Sequence, residues 1–239
     1  MKKIIIIVIF ILIIIFSILI HKQNEKFKTN QNRKPIVFLH IPKNAGSSIQ
    51  NMYKSSIEYR DHYECVPKKD EINFAVIRHP ITRLQSIFGH IKDKTVNNKS
   101  YDLRKFNTLG DLANAYYNIH NPNHKKAKQL LEWNIDKLKS YRDNGCSENK
   151  SCIHWCPQHL FVNDNEDGGK VDYFLKFENL KQDLKKLAEL NILIDKPLER
   201  INSTPNNFKI HTNITPLCKK LVNDIYGEDL KLWQNAGLN

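Results

Sequence analysis

With 239 residues, of which 41% are hydrophobic and 10% aromatic, the chain can form a proper core and is not a disordered polyelectrolyte. Its formal net charge of +12 favours polyanionic partners, such as nucleic acid, anionic glycan, anionic lipid or a charged nucleotide. A compositional bias is the other source of this charge, because the chain is crowded with Lys, Asn and Ile.

Residues 1–21 are predicted to form a signal-anchor transmembrane segment. Residues 4–20 are apolar except for Ser17, and this length is at the short end of what spans a bilayer. A cleaved signal peptide is the alternative, but no small-residue cleavage site follows the apolar stretch. Residues 22–34 are polar, charged and aperiodic, which is typical of a linker, and residues 35–239 are then the globular domain.

Short apolar runs in the globular part predict three buried strands, at residues 36–40, 73–77 and 171–177. Each run is followed by a segment with helical character. Strands that alternate with helices indicate an α/β fold with a mainly parallel sheet flanked by helices.

Helices are predicted after each of these strands. The first begins near Ser47, with a serine close to its N-cap, and the second near Pro80, whose missing N–H costs nothing in a first turn. Thr215 and Pro216 start a last helix, ending near Gly227. Further helices are expected at residues 109–115, 127–138 and 179–190.

Two segments run from an apolar strand through a polar turn into a helix. Residues 42–48 read Pro-Lys-Asn-Ala-Gly-Ser-Ser, and residues 78–86 begin with an arginine. Such a junction directs backbone N–H groups and the positive end of a helix dipole at one spot. The two junctions therefore predict a ligand with two separated anionic groups. The lysine precedes the glycine, unlike in the Gly-x-x-x-x-Gly-Lys-Ser/Thr loop, so no magnesium site is implied.

These two segments resemble the motifs of sulfotransferases that use 3′-phosphoadenosine 5′-phosphosulfate (PAPS), in particular the membrane-anchored carbohydrate sulfotransferases. The family's first motif is close to His-Ile-Pro-Lys-Thr-Ala-Gly-Thr-Ser, and residues 40–48 match it except that Asn44 replaces a usual threonine and Ser47 a second one. Residues 78–86 match the second motif, Arg-x-Pro-x-x-Arg-x-x-Ser. Weaker likeness continues to about Trp233. The resemblance implies a P-loop-like sheet.

The resemblance also implies a role for each matching residue. The 5′-phosphosulfate is expected to be held by Lys43 and by the residues after it, Asn44, Ala45, Gly46, Ser47 and Ser48. Arg78 and Ser86 are expected to hold the 3′-phosphate, which suits the planar fork of an arginine. Arg83 is interpreted as a surface charge on the helix. No metal is expected, because Lys43 and the N–H dipoles suffice for the lower charge of sulfate.

Transfer to a hydroxyl also needs a general base. The candidates are His62, His154, His159 and Glu178. His62 and His154 are preferred equally: His62 lies between the two PAPS motifs, where some carbohydrate relatives carry a catalytic histidine, and His154 precedes Trp155, which could stack on a sugar ring. Lys43 is the third predicted catalytic residue, because its charge can follow the charge that develops on the leaving oxygen.

Three of the five cysteines fall within eleven residues, around His154 and His159. They are Cys146, Cys152 and Cys156. A disulfide within this cluster would suit an oxidising lumen. A zinc site is the second possibility, although the spacing matches no standard zinc pattern, and free thiols are the third.

The sequence thus predicts a membrane-anchored sulfotransferase that uses PAPS and a carbohydrate or glycoconjugate acceptor, with no nucleic acid partner. Two alternatives remain: a P-loop kinase of a small molecule, and a non-enzymatic, membrane-tethered module that binds polyanions. The family resemblance and four Asn-x-Ser/Thr sequons favour a type II glycoprotein of the Golgi lumen. The positive charge of the linker argues for the opposite orientation.

Overall fold

A computed structural model describes Ser17 and residues 34–92, 105–143, 152–163, 168–197 and 213–238 of the chain. Ile36–Asn239 forms one compact unit. Apart from Ser17 and Lys34, the predicted membrane segment and linker lie outside the described residues. Among the residues that are described, no helix combines the length and the apolar character needed to cross a membrane.

Four parallel strands form the sheet, in the order β2-β1-β3-β4. The strands are β1 (Ile36–Leu39), β2 (Glu58–Arg60), β3 (Ile72–Ile77) and β4 (Tyr173–Lys176). The predicted α/β fold with a parallel sheet is confirmed, and three strands lie where the apolar runs placed them. The edge strand β2 was not predicted, because three residues with a glutamate and an arginine give no apolar run.

Helices flank the sheet. In the described residues they are α1 (Gly46–Tyr53), α2 (Pro80–Lys92), α3 (Leu109–Tyr117), α4 (His124–Leu131), α5 (Ile135–Asp143), α6 (Gln158–Asn163), α7 (Leu180–Glu189), α8 (Pro216–Ile225) and α9 (Gly227–Asn235). The single helix predicted at residues 127–138 is wrong, because the chain breaks between α4 and α5. A further helix, α9, follows the one that was expected to be last. As predicted, Thr215 caps α8 by accepting a hydrogen bond from the N–H of Cys218, and Pro216 occupies its first position.

The core has two layers because successive strand residues point to opposite faces of the sheet. Val37 and Leu39 pack on one face with residues of α5 and α6, while Phe38 packs on the other with residues of α1 and α7. A third cluster joins α2, α3, α4 and α8. In α2, the apolar face packs into this cluster through Leu84 and Phe88.

The sheet has a point at which its strand order reverses. The chain passes from β1 to β2 on one side and then returns to β3 and β4 on the other side. In open α/β sheets, ligands bind outside the carboxyl ends of the strands at such a point. The crevice between the ends of β1 and β3 is therefore where a binding site is expected.

Candidate functional site

Residues that can carry chemistry follow each strand. His40 follows β1, Asp61 follows β2, Arg78 follows β3 and Phe177 follows β4. Because the strands are parallel, these four positions lie along one edge of the sheet in the order of the strands. The two predicted anion loops, after β1 and β3, thus flank the crevice where the strand order reverses.

The first loop turns on two residues with a left-handed backbone. Lys43 has φ 69° and Ala45 has φ 64°, a conformation that costs energy for residues other than glycine. Ala45 is the N-cap of α1 and makes no side-chain cap hydrogen bond, and Ser47, which was predicted near the N-cap, lies in the first turn. Left-handed residues bring successive N–H groups to one side of the chain, and the first N–H groups of a helix have no acceptor within it. The loop has the form of an anion cradle.

Lys43 lies inside this site. Burial, and to a lesser degree the nearby charge of Arg78, lowers the pKa of its ammonium group to about 8. Within the described parts of the chain, no carboxylate forms an ion pair with Lys43. A half-buried cation without a counter-ion is costly. An anionic ligand would remove that cost.

The second loop is bonded to the first through Arg78. Its guanidinium donates to the carbonyl oxygen of Lys43 (3.1 Å) and to the hydroxyl of Thr82 (3.1 Å). It also lies over the ring of Phe177, 4.2 Å from the centroid. Burial lowers the pKa of Arg78 to about 10, against the opposing effect of Glu178. Two enclosed cations, Lys43 and Arg78, therefore stand on either side of the crevice.

Arg83 is not a surface charge, and that interpretation is wrong. Only 1% of the residue is exposed. Its Nε donates to the carbonyl oxygen of Pro42 (3.1 Å), and its NH2 group donates to that of His154 (3.0 Å). Arg83 thus holds the first loop and the segment of His154 together from within the core.

Gln158 joins both loops. Its Oε1 accepts hydrogen bonds from the side chain of Asn44 (2.6 Å) and from the N–H of Arg78 (2.9 Å), while its Nε2 donates to the carbonyl oxygen of Arg78 (2.8 Å). The fully buried carboxylate of Asp229 accepts from the N–H of Gln158 (2.8 Å). Gln158 was given no role in the sequence analysis.

The side chain of Asn44 points into this network. Besides contacting Gln158, it donates to the carbonyl oxygen of Val76 (2.7 Å), and the residue is fully buried. The amide that replaces the usual threonine therefore connects the loop to β3. Because the side-chain amide of Asn44 is occupied, any contact of this residue with an anion would be made by its backbone.

The three predicted serines differ in position. Ser47 is exposed in the first turn of α1, whereas Ser48 is buried, with 8% of the residue accessible. Ser86, at 9% exposure, lies one turn after Thr82 on α2. Since Thr82 is bonded to Arg78, the three side chains of Arg78, Thr82 and Ser86 follow one another along one side of the helix. Thr82 was not singled out in the sequence.

The two preferred general bases lie side by side. The ring centroids of His62 and His154 are 5.9 Å apart. His40 lies 5.5 Å from His62, and His90 lies 5.8 Å from His154. The structure therefore brings residues from four separate segments into a row of histidines. Sequence reasoning missed His40 and His90.

His40 and Asp61 support His62. Asp61 Oδ1 accepts from the N–H of His62 (2.7 Å), contacts Nδ1 of the same residue, and lies 3.4 Å from Nδ1 of His40. Burial opposes ionisation of Asp61, but the contacts with His40 and His62 hold its pKa well below the usual range. The hydroxyl of Tyr59 lies 2.5 Å from Nδ1 of His40. The pKa of His40 is lowered, chiefly by burial.

The other two candidate bases are occupied by structural contacts. Nδ1 of His159 is 2.8 Å from Oδ1 of Asp229. Glu178 accepts hydrogen bonds from the N–H of His79 (3.0 Å) and from the indole of Trp233 (2.9 Å). These contacts anchor α6 and α9 against the site. His62 and His154 remain as the candidates whose rings meet at the sheet edge.

Two expectations about the cysteine segment change. Trp155 is fully buried, so it cannot stack on a sugar. Cys156 is a buried thiol, and burial holds its pKa well above the usual range; it forms no disulfide. The other two cysteines of the cluster, Cys146 and Cys152, have side chains outside the described part. In the described residues, the grouping of metal-ligating side chains is at His40 and not at this segment.

A family model described as the Sulfotransferase family matches residues 26–234. Comparisons with curated proteins and with solved structures gave no match.

Proposed function

Since the chain belongs to the sulfotransferase family, a family of transferases, we propose that it moves a sulfuryl group from PAPS to a hydroxyl group of a carbohydrate acceptor. The observation that carries this proposal is the pair of enclosed cations, Lys43 and Arg78, at the reversal point of the sheet. A donor with anionic groups at its 5′ and 3′ positions fits two such charges. A ligand with a single anionic group would contact only one of them.

The residues at the site fit this donor. Lys43 and the N–H groups at the start of α1 would hold the 5′-phosphosulfate, in the manner of helix N-termini that bind anions. Arg78 would hold the 3′-phosphate with Ser86 beside it, and Phe177 supports the guanidinium from behind. Gln158 keeps the two loops at a fixed separation, because it is bonded to both.

When bound, PAPS supplies an activated sulfuryl group attached to its 5′-phosphate. The chain's own task is then positioning and charge stabilisation, as in phosphoryl transfer. The ammonium of Lys43 neutralises negative charge at the first loop, and its enclosed position strengthens that interaction. These two effects require no metal at the donor.

His62 is the proposed base that removes the proton from the acceptor hydroxyl. Its Nδ1 faces Asp61, so the ring is oriented and Nε2 is left to accept a proton. The backbone of His154 is fixed by Arg83, and its ring lies beside His62. We assign His154 to the acceptor side of the site, where it would contact the acceptor or relay the proton.

Calorimetry with adenosine 3′,5′-bisphosphate tests the donor assignment. The full chain should bind this product analogue more tightly than ATP with magnesium, and Arg78→Ala should weaken the binding while Lys219→Ala, an exposed lysine of α8, should not. Preference for ATP with magnesium would indicate a kinase. Binding of neither nucleotide would leave the polyanion-binding module as the remaining explanation.

Two further assays concern the acceptor and the cellular location. A panel of glycans, incubated with the chain and sulfur-labelled PAPS, should yield a labelled carbohydrate; labelling of tyrosine peptides alone would contradict the carbohydrate assignment. We also propose a type II orientation with the domain in the Golgi lumen. A glycosidase-sensitive mass shift that disappears in Asn213→Gln would support it, since Asn213 is exposed. Protease digestion of the domain in intact microsomes would contradict it.

A further inference from the structure

One ligand atom from each of His40, Asp61 and His62 lies within 4.8 Å of the other two. The pairing of β1 with β2 produces this grouping. Leu39 is in register with Arg60, and the N–H of His40 donates to the carbonyl oxygen of Arg60 (2.9 Å). His40 and Asp61, which follow these two positions, are therefore brought side by side by the backbone of the sheet.

We propose that His40, Asp61 and His62 bind a divalent transition metal ion of the zinc type, and that the bound ion inhibits sulfuryl transfer. The inhibitory part rests on the function proposed above, whereas the binding part does not. Two imidazoles and one carboxylate are a ligand set that zinc takes in proteins, and three protein ligands leave one position open. The proposed ion would lie beside the first loop, where His40 packs against Gly46, and it is not needed for holding the donor.

The distance between one pair of ligand atoms agrees with such an ion. Two atoms bound to zinc at about 2.1 Å in a tetrahedral arrangement are about 3.4 Å apart, and Nδ1 of His40 is 3.4 Å from Oδ1 of Asp61. Asp61 is about half exposed, with 48% of its side chain accessible, so an ion can enter from solvent. Only 15% of each imidazole is accessible. The ligands are thus held in place by packing and reached from one side.

The hydrogen bonds within the group leave a ligand nitrogen unsatisfied. Nδ1 of His62 is buried and contacts Asp61, yet it makes no hydrogen bond of acceptable geometry. Nδ1 of His40 is shared between Asp61 and the hydroxyl of Tyr59, although one ring nitrogen cannot both donate and accept. A metal ion would use the lone pairs of both nitrogens together with the carboxylate.

Inhibition follows from the chemistry of imidazole. A neutral histidine that binds a metal through one ring nitrogen keeps its proton on the other. His62 bound through Nδ1 would therefore present an N–H at Nε2, and bound through Nε2 it would present no lone pair at all. In both cases it can no longer accept the proton of the acceptor hydroxyl.

Cobalt titration of the full, chelator-treated chain is the direct test. Co²⁺ should give the visible absorption bands of a four-coordinate site, and Zn²⁺ should displace it. Asp61→Asn and His40→Gln should each weaken zinc binding by about a hundredfold or more, since even partners outside the coordination sphere cost 10–100-fold. His120→Gln, at an exposed histidine, should bind as the unmodified chain does.

The outcomes separate the site from the proposed function. Absence of a cobalt spectrum in the unmodified chain, or equal zinc affinity in Asp61→Asn and the unmodified chain, would overturn the metal site. Cobalt binding in a chain that transfers no sulfuryl group would retain the site and reject the function. If the chain both binds cobalt and transfers sulfuryl groups, zinc should inhibit turnover and a chelator should restore it. The His40→Gln variant should require far more zinc for the same inhibition. Full turnover with zinc bound would overturn the inhibitory role.

Discussion

The imidazole ring of His40 occupies the space into which a side chain at Gly46 would project. A Cβ built at residue 46 overlaps three atoms of that ring. The glycine of the first loop is therefore required by the packing of the histidine that follows β1, in addition to any need for a close approach to an anion. His40 in turn is held by Tyr59 and Asp61, so the first loop and the row of histidines share one packed contact.

Gly46→Ala should lower the free energy of unfolding. Because the ring of His40 is enclosed and cannot move freely, we expect a loss of about 1–3 kcal/mol, the usual cost of an overpacked core. Denaturant unfolding measures it. Gly227→Ala is the matched control, since nothing lies within 4 Å of a Cβ there and its φ is not positive. Equal stabilities of the two variants would contradict the packing argument.

Arg83→Met should also destabilise the protein. The variant leaves the carbonyl oxygens of Pro42 and His154 buried without their donor, and each unpaired group costs roughly 1–3 kcal/mol. We expect a loss of about 2–5 kcal/mol in denaturant unfolding, whereas an exposed change such as Lys185→Met should stay within about 0.5 kcal/mol. A loss as small as that of the control would restore the surface interpretation of Arg83.

The error about Arg83 shows where sequence reasoning reaches its limit. The two anion loops are local motifs, so residues 42–48 and 78–86 were predicted as such from the chain alone. The burial of α2 is not local: its apolar face packs on one cluster, while its other side meets the first loop and the segment of His154. A charge next to the apolar stripe then becomes a core residue. The periodicity of the sequence does not indicate that Arg83 is buried.

The same limit explains His40, Asp61 and Gln158. The contact between His40 and Asp61 depends on the parallel register of β1 and β2, and the contacts of Gln158 depend on the position of α6, so no neighbour in sequence reveals them. β2 itself was missed, so the side-by-side placement of His40 and Asp61 could not be inferred. Strands β1, β3 and β4 and the start of α8 at Thr215 and Pro216 depend on local chemistry and were therefore accessible.

Arg78→Ala should weaken donor binding more than acceptor binding. A hydrogen bond to a charged group is worth about 1.5–3 kcal/mol, so the affinity for adenosine 3′,5′-bisphosphate should fall about ten- to a hundredfold. Calorimetry gives this value, and the KM for the acceptor should change little. Arg78→Lys keeps a charge but loses the planar fork, so its affinity for adenosine 3′,5′-bisphosphate should lie between those of Arg78→Ala and the unmodified chain. An unchanged KM for PAPS in Arg78→Ala would place the 3′-phosphate elsewhere.

Lys43→Ala should remove most turnover and leave the fold intact. The loss of one well-placed charge-stabilising group costs about a hundredfold or more in kcat. Single-turnover measurements with saturating PAPS isolate this effect from binding. Lys54→Ala, at an exposed lysine directly after α1, is the control and should transfer normally. Normal transfer by Lys43→Ala would reject the assignment of this lysine to the leaving group.

Donor binding should weaken as the pH rises from 7.5 to 9.5. Free Lys43 has a pKa of about 8, lowered first by burial and then by Arg78, so it loses its proton in this range, while the bound anion stabilises the protonated form. Binding should then take up protons near pH 8.5, which calorimetry detects as a heat that depends on the ionisation enthalpy of the buffer. Arg78, with a pKa of about 10, begins to titrate only at the upper end, and His40 is neutral throughout because burial lowers its pKa. Lys43→Arg remains protonated and should lose the pH dependence; an equal slope in that variant would assign the titration to another group.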